Sequence, residues 1–308
     1  MNTEGITTTG LHAPGWEASW LNGWLAALGV IRSTDLRLSF TRCANPIPSF
    51  TTANGTVAEW VDVADALPST EAIKQLSIAR NVDGLDEFPR KPGLTSFAHR
   101  AEGARASADR SLGATVTDLV SDAELGHSTF DVAVPKGITV WQRLLACREL
   151  IDDDSAIERS GRGELRRVNT NGLGFDARRI AIATAPDPSK TVDPVVECLA
   201  FAAVEMFPVR GDGSVAPRVR GWSGRPSQRS AFVWPVWSDP LSWAAVDSLL
   251  DEFAELRPSD PAIEMTHFWA KPASRLSVFG AFGSVPYRWT SSMDSTRAYS
   301  SDELWMNL

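Results

Sequence analysis

The sequence is short of the residues that carry most metal and acid–base chemistry: 308 residues include only 3 cysteines and 4 histidines. Cys43, Cys147 and Cys198 stand more than 50 positions apart. That spacing excludes a disulfide-stapled framework and the short intervals of zinc sites and redox pairs. The three are expected to be small buried hydrophobes in a reducing compartment. None of His12, His99, His127 and His267 adjoins a plausible nucleophile or a second metal ligand, so surface or capping roles are expected of them. Also missing are the Gly-x-Ser-x-Gly elbow, the phosphate loop ending in Gly-Lys-Ser and the His-Glu-x-x-His helix. A non-enzymatic protein with no metal or cofactor is the expectation. No apolar run approaches the roughly 20 residues of a membrane span, and Met1 to Gly10 lacks a basic-then-apolar signal pattern. This points to a cytoplasmic chain with no membrane partner.

What is present is globular: hydrophobic residues make up 43% and charged residues 22%, enough for a core and unlike a disordered or fibrous chain. The net charge of −8 opposes nucleic acid on average, because phosphate binding needs local positive potential. The charge is unevenly spread. Residues 161–240 carry 11 basic and 8 acidic groups, whereas residues 1–160 carry 14 and 21 and residues 241–308 carry 5 and 9. One central stretch is therefore positive.

The periodicity predicts a single α+β domain, with amphipathic helices on a mixed or antiparallel sheet and long Gly/Arg-rich loops. Trp16, Trp20 and Trp24 recur every four residues, with Leu21, Leu25 and Leu28 beside them, which predicts a helix over 16–31. Strands are expected over 36–40 and 57–63. A helix should start after Pro68, capped by Ser69 and Thr70, and run to Arg80. Residues 81–110 read as a mobile insertion, rich in Gly, Pro, Ala, Arg and Ser. Further along come a strand at 130–134, a helix over 138–151, a strand at 179–184 and a helix over 195–207 entered through Asp193 and Pro194. A strand over 232–237 contains Pro235 and so belongs at an edge or bulge. It is followed by a helix capped by Asp239 and Pro240, a strand at 275–279 and a flexible tail over 291–301.

The basic central segment, 159–229, draws the functional attention. A guanidinium is always charged and grips phosphate in a bidentate fork, so Arg166, Arg167, Arg178 and Arg179 around Gly172 and Gly174 suit a nucleic-acid backbone. A solvated, self-paired face is the competing reading. Asn169 and Asn171 add amides able to pair with adenine. Arg218, Arg220 and Arg225 surround Trp222, which is suited to stacking on an unpaired base, though most tryptophans must serve the core. Gly172-Leu173-Gly174 is not a dinucleotide fingerprint, since the third glycine is missing and the segment precedes a strand. A metal-dependent hydrolase remains the alternative if Asp152, Asp154 and Asp176 gather a magnesium ion. A pure protein-interaction adaptor is a third reading.

Three stretches then carry a resemblance. LAALGVIR at Leu25 to Arg32, GFDARR at Gly174 to Arg179 followed by LAFAAVEMFPV at Leu199 to Val209, and WPVWSDPLS at Trp234 to Ser242 occur in order. Together they resemble the large-subunit family of type I-G (formerly I-U) CRISPR surveillance, or Cascade, complexes. The sequence departs from that pattern at Ala18 and Ser19, where a Pro-Leu pair is expected. The resemblance implies a non-catalytic subunit of an antiviral ribonucleoprotein. Such a subunit reads the short motif flanking target DNA (the PAM), helps open the duplex and lets a separate helicase-nuclease be recruited. Its partners would be guide RNA, target DNA and sister subunits. In such a division of labour the protein reads a short motif and backbone shape while guide pairing reads the long sequence.

Overall fold

A computed structural model describes residues 10–78, 94–107, 109–121, 125–128, 130, 140–153, 155–170, 172–173, 191–213, 218–221, 232–255, 277–284, 287–291, 294–298 and 304–306. The architecture is α+β, with helices beside several small antiparallel sheets. Along the chain, β1 (Leu11–His12) leads through a 3-10 turn (Pro14–Trp16) to α1 (Leu21–Ser33), β2 (Arg37–Phe40) and β3 (Pro48–Thr51). Next are α2 (Trp60–Ala64), α3 (Thr70–Lys74), α4 (Leu94–Ser107), α5 (Ser111–Thr115), β4 (Val116–Thr117) and β5 (Gly126–His127). The middle holds α6 (Val140–Glu149), α7 (Ala156–Gly161), β6 (Val168–Asn169), β7 (Thr191–Val192) and α8 (Pro194–Val204). It continues with β8 (Val209–Arg210), β9 (Arg218–Val219), β10 (Phe232–Trp237) and α9 (Trp243–Glu255). The last elements are β11 (Val278–Ser284), β12 (Tyr287–Ser291), β13 (Asp294–Ala298) and β14 (Leu304–Met306).

The centre of the molecule is the pair α1 and α8. Every residue of α1 from Leu21 to Ile31 is buried, and α8 is buried along nearly all its length. A helix that is apolar all round belongs inside, so neither shows the one-sided stripe expected of a surface helix. Gly29 permits their close approach: a Cβ there would lie 1.9 Å from the Leu199 carbonyl oxygen. The start of α8 follows its sequence signal, with Asp193 accepting from the Val196 N–H at 3.1 Å and Pro194 in the first turn.

Two three-stranded sheets, in the orders β1-β3-β2 and β10-β11-β14, meet α1 through β2 and β10. Strand β10 stands at a sheet edge with a register shift between Val236 and Trp237, as Pro235 foretells. The Trp237 indole N–H donates to the Leu38 carbonyl at 2.8 Å, tying β10 to β2. Rings of Trp24, Phe207, Phe130, Phe232, Trp234 and Phe282 then pack in series at centroid spacings of 5.3 to 6.4 Å. Each such buried aromatic contributes about 1.5–3 kcal/mol through area removed from water.

Several local expectations are corrected. Trp16 is not in the first helix, because the chain extends at Glu17 and the Ala18 N–H bonds to the Pro46 carbonyl at 2.9 Å. Residues 60–64 are helical, started by the Asp62 carboxylate accepting from the Glu59 N–H at 2.8 Å. The second strand is instead β3, opening on Pro48. Residues 94–107 form α4, whose Phe97, Arg100 and Ala104 face inward, while 81–93 lie outside the described residues. Residues 294–298 pair with 287–291 as a hairpin where a flexible tail is expected. The expected strand at 179–184 lies outside the described residues, as do residues 131–134 of the one at 130–134.

Candidate nucleic-acid interface

The start of the basic segment is built on α7 and the β6–β7 ladder, where Val168 faces Val192 and Asn169 faces Thr191. Most of its described arginines are answered by acids. Arg159 bonds Asp153 at 3.1 Å, Arg162 bonds Glu158 at 2.8 Å in an i,i+4 pair, and Arg166 pairs with Asp152. The Arg159 and Ser155 hydrogen bonds hold the exposed Asp153 carboxyl below its ordinary range, the serine contributing most. Arg167 turns to the backbone, donating to the Thr191 carbonyl at 3.0 Å. Asn169 is exposed on β6. Beside Arg159 and Arg166 the crevice over Pro194 has a volume of about 20 Å³, room for one water and too small for a base.

Arg220 is different in kind. Its side chain is only 5% exposed and is gripped by Asp247 at 2.6 Å and Asp251 at 2.8 Å, both on α9. Arg210 reaches the same Asp251 at 3.4 Å. Asn171, Arg178, Arg179, Trp222 and Arg225 lie outside the described residues, and for Arg218 the description extends to its strand alone.

Sequence reasoning missed a buried polar hub beneath this surface. Glu197, fully buried on α8, accepts from the Asn22 side-chain amide at 2.7 Å and from the Leu173 N–H at 2.5 Å. Arg143 of α6, 7% exposed, donates to the Gly172 carbonyl at 3.3 Å. Asp193 accepts from the Ser160 hydroxyl at 3.2 Å and the Arg166 N–H at 3.0 Å, and Ser160 accepts from the Trp16 indole at 3.1 Å. Burial pushes the Asp193 carboxyl up despite these donors. The available signal was an acid inside an apolar run, Val195-Val196-Glu197-Cys198-Leu199, which a buried helix keeps only with partners.

Of the acids proposed for a metal, only Asp152 is among the described residues. Asp152 is committed to Arg166, Asp154 and Asp176 lie outside the described set, and no group of three or more His, Cys, Asp or Glu residues gathers there. His12 is partly buried, with both ring nitrogens lacking a partner among the described residues, and burial lowers its pKa. His99 is exposed on α4, and His267 lies outside the described residues. Cys147 and Cys198 are buried as expected, whereas Cys43 is exposed. No helix among the described residues is long and apolar enough to cross a membrane. No family model matches the chain, and no curated protein matches it.

Proposed function

We propose that this chain is a non-catalytic, cytoplasmic subunit of an RNA-guided CRISPR surveillance complex, of the type I-G large-subunit kind. In this role it touches target DNA beside the guide-paired region through its basic central segment. One observation supports the reading: the described stretches that carry the resemblance, far apart in sequence, build a common core, while Gly174 to Arg179 lies outside the described residues. Leu25 to Arg32 lies in α1 and Leu199 to Val204 in α8, the two helices that pack centrally. The later Trp-Pro stretch returns to α1, with the Trp24 indole N–H bonded to the Pro235 carbonyl at 3.0 Å. Segments packed on one another constrain one another's sequence, so they are where a shared fold leaves its motifs.

The arginines divide by environment. Arg166 is half exposed in an ion pair worth about 0–1 kcal/mol, which a phosphate can replace. Arg220 is a brace held by two carboxylates. Arg178, Arg179, Arg218 and Arg225, with Asn169, Asn171 and Trp222, are left as the groups for phosphate and base on chemical grounds. The adaptor reading draws support from the acid pairing of Arg159, Arg162 and Arg166. Purification of the tagged full chain, followed by ultraviolet crosslinking and peptide mapping, separates the two. Guide RNA and sister subunits in the eluate, with crosslinks within 159–229, support the proposal; a protein-only assembly without crosslinks overturns it. In the assembled complex, Arg178→Glu with Arg179→Glu should weaken DNA binding and flatten its salt dependence.

A further inference from the structure

We infer that the cavity between α4, α5, α9 and the chain leaving α8 is a binding site for a small monocarboxylate with an apolar body, its charge met by Arg110. The cavity has a volume of about 380 Å³, toward the lower end of the range usual for small-molecule sites. It exists because of what α4 and α5 lack. Phe97, Ala101 and Ala104 follow one another at four- and three-residue steps on one face of α4, and the two alanines leave the space beside them unfilled. Gly113 of α5 adds no side chain of its own. Leu112, Met206 and Pro208 complete an apolar wall. A hydrated inorganic ion would leave that wall wet, whereas an apolar body covers it.

Five charged side chains also line the cavity, and four are already answered. The Asp109 carboxylate accepts from the backbone N–H groups of Ser77 and Ser111. Glu205 accepts from Arg32 at 3.0 Å, and burial raises its carboxyl pKa. Arg220 is held by Asp247 of the cavity wall at 2.6 Å and by Asp251 at 2.8 Å. Arg110 is the exception: among the described residues its exposed guanidinium makes no ion pair and no side-chain hydrogen bond. It lies over the Trp243 ring, 5.7 Å from the centroid, with Arg32 at 5.2 Å from the same ring. A guanidinium stacked by its face keeps its N–H edge open, and that edge fits a carboxylate through two parallel hydrogen bonds. The unanswered charge is thus a cation on a rigid support beside an apolar wall. That arrangement complements an anion with an apolar body and disfavours a cation. Arg110 lies outside the basic central segment, so the site stands apart from the nucleic-acid reading.

Isothermal titration calorimetry of the full chain supplies the test, with 2-naphthoate and octanoate as probes beside the uncharged 2-naphthamide and the cationic 2-naphthylmethylamine. At least one carboxylate should bind one-to-one with saturation, more tightly than the amide or the amine. Arg110→Gln should weaken that binding about tenfold, the scale of one charge-assisted hydrogen bond, and leave the amide unaffected. Gly113→Phe should abolish carboxylate binding by occupying the cavity, since a Cβ at Gly113 has nothing within 4 Å and the new side chain starts without a clash. Ala101→Trp fills the cavity from α4 and serves if Gly113→Phe does not fold. No saturable binding of either carboxylate at millimolar concentration overturns the site. Carboxylate binding that survives in a filled variant with a wild-type melt also overturns it, because the probe then sits elsewhere. Tighter binding of the amine than of the carboxylates, or an affinity unchanged by Arg110→Gln, overturns the role of Arg110 and with it the anionic class.

Discussion

Trp24 and Trp234 are cross-bonded through each other's chain segments. The Trp24 indole N–H donates to the Pro235 carbonyl at 3.0 Å, the Trp234 indole N–H donates to the Ala18 carbonyl at 2.7 Å, and the rings lie 6.4 Å apart. Both indoles are fully buried, so each bond satisfies a donor that would otherwise be stranded. The arrangement also uses Pro235 well, since a residue with no N–H still offers its carbonyl.

Trp24→Phe should therefore cost more than its lost ring area. It leaves the Pro235 carbonyl without its donor, about 1–3 kcal/mol, and adds a cavity. A double-mutant cycle of Trp24→Leu with Trp234→Leu, read by urea denaturation, should give a coupling of about 0.5–1.5 kcal/mol from the direct ring contact. Strict additivity would mean that the two rings act independently.

Gly29 and Gly103 predict opposite signs for the same substitution. Gly29→Ala drives a Cβ into the Leu199 carbonyl and should destabilise by about 1–3 kcal/mol or more. Gly103, within α4, has open space around its missing Cβ, so Gly103→Ala should stabilise by about 0.5–1 kcal/mol. Thermal melts of the two single variants check both signs.

The legible parts of the sequence were those where local chemistry and tertiary fate agree. Asp193-Pro194 announces α8, Ser69 caps α3 by accepting from the Ala72 N–H at 3.0 Å, and Pro235 places β10 at an edge. The tryptophan spacing misled, because a four-residue repeat runs through Trp16 and Trp20 although the backbone between them is not helical. Helix α4 was hidden by composition: Ala, Arg and Glu favour helix, yet weighing large apolar residues alone finds no stripe in it. At the candidate interface, Arg166 meets Asp152 across 14 positions and Arg220 meets Asp247 across 27, separations no local pattern reports. Glu197 was findable as a charge in an apolar helix, but its partners Asn22 and Leu173 were not.

Thiol reactivity should be confined to one position. Cys43 is exposed, whereas burial pushes the Cys147 and Cys198 thiols far up, leaving them protonated and inaccessible. Native alkylation with iodoacetamide at mild alkaline pH, followed by mass spectrometry, should modify Cys43 alone. Denaturation first should expose all three. Labelling of Cys147 under native conditions would mean that the α6–α8 packing opens.

Glu205 gives the molecule a pH dependence of defined sign. Burial raises its carboxyl pKa, opposed mainly by Arg32, whose guanidinium lies 3.0 Å away. The folded state thus holds the proton more tightly than the unfolded chain. The stability contributed by Glu205 is complete below the ordinary carboxylate pKa and is lost as pH rises through the elevated folded value. Glu205→Gln should remove that portion of the decline in a urea midpoint measured from acid to neutral pH. A profile identical to wild type would show that Glu205 ionises alike in both states.

The basic segment offers a last contrast, between an arginine that holds the fold and one free to exchange partners. Arg220 is nearly buried between Asp247 and Asp251, so Arg220→Met leaves two carboxylates without their shared cation. Breaking a buried pair costs about 3–5 kcal/mol, and the partial exposure of both aspartates places the expected loss near or below the lower figure. Arg166→Ala removes a half-exposed pair and should cost less than about 1 kcal/mol. If nucleic acid is met on this face, binding should respond in the reverse order. Arg166→Ala would then lower the salt slope by roughly 0.9 while leaving the melt unchanged, and Arg220→Met would shift the melt with little effect on the slope of the surviving folded fraction. Equal effects of both substitutions on stability, with none on binding, would assign the whole described arginine set to the scaffold.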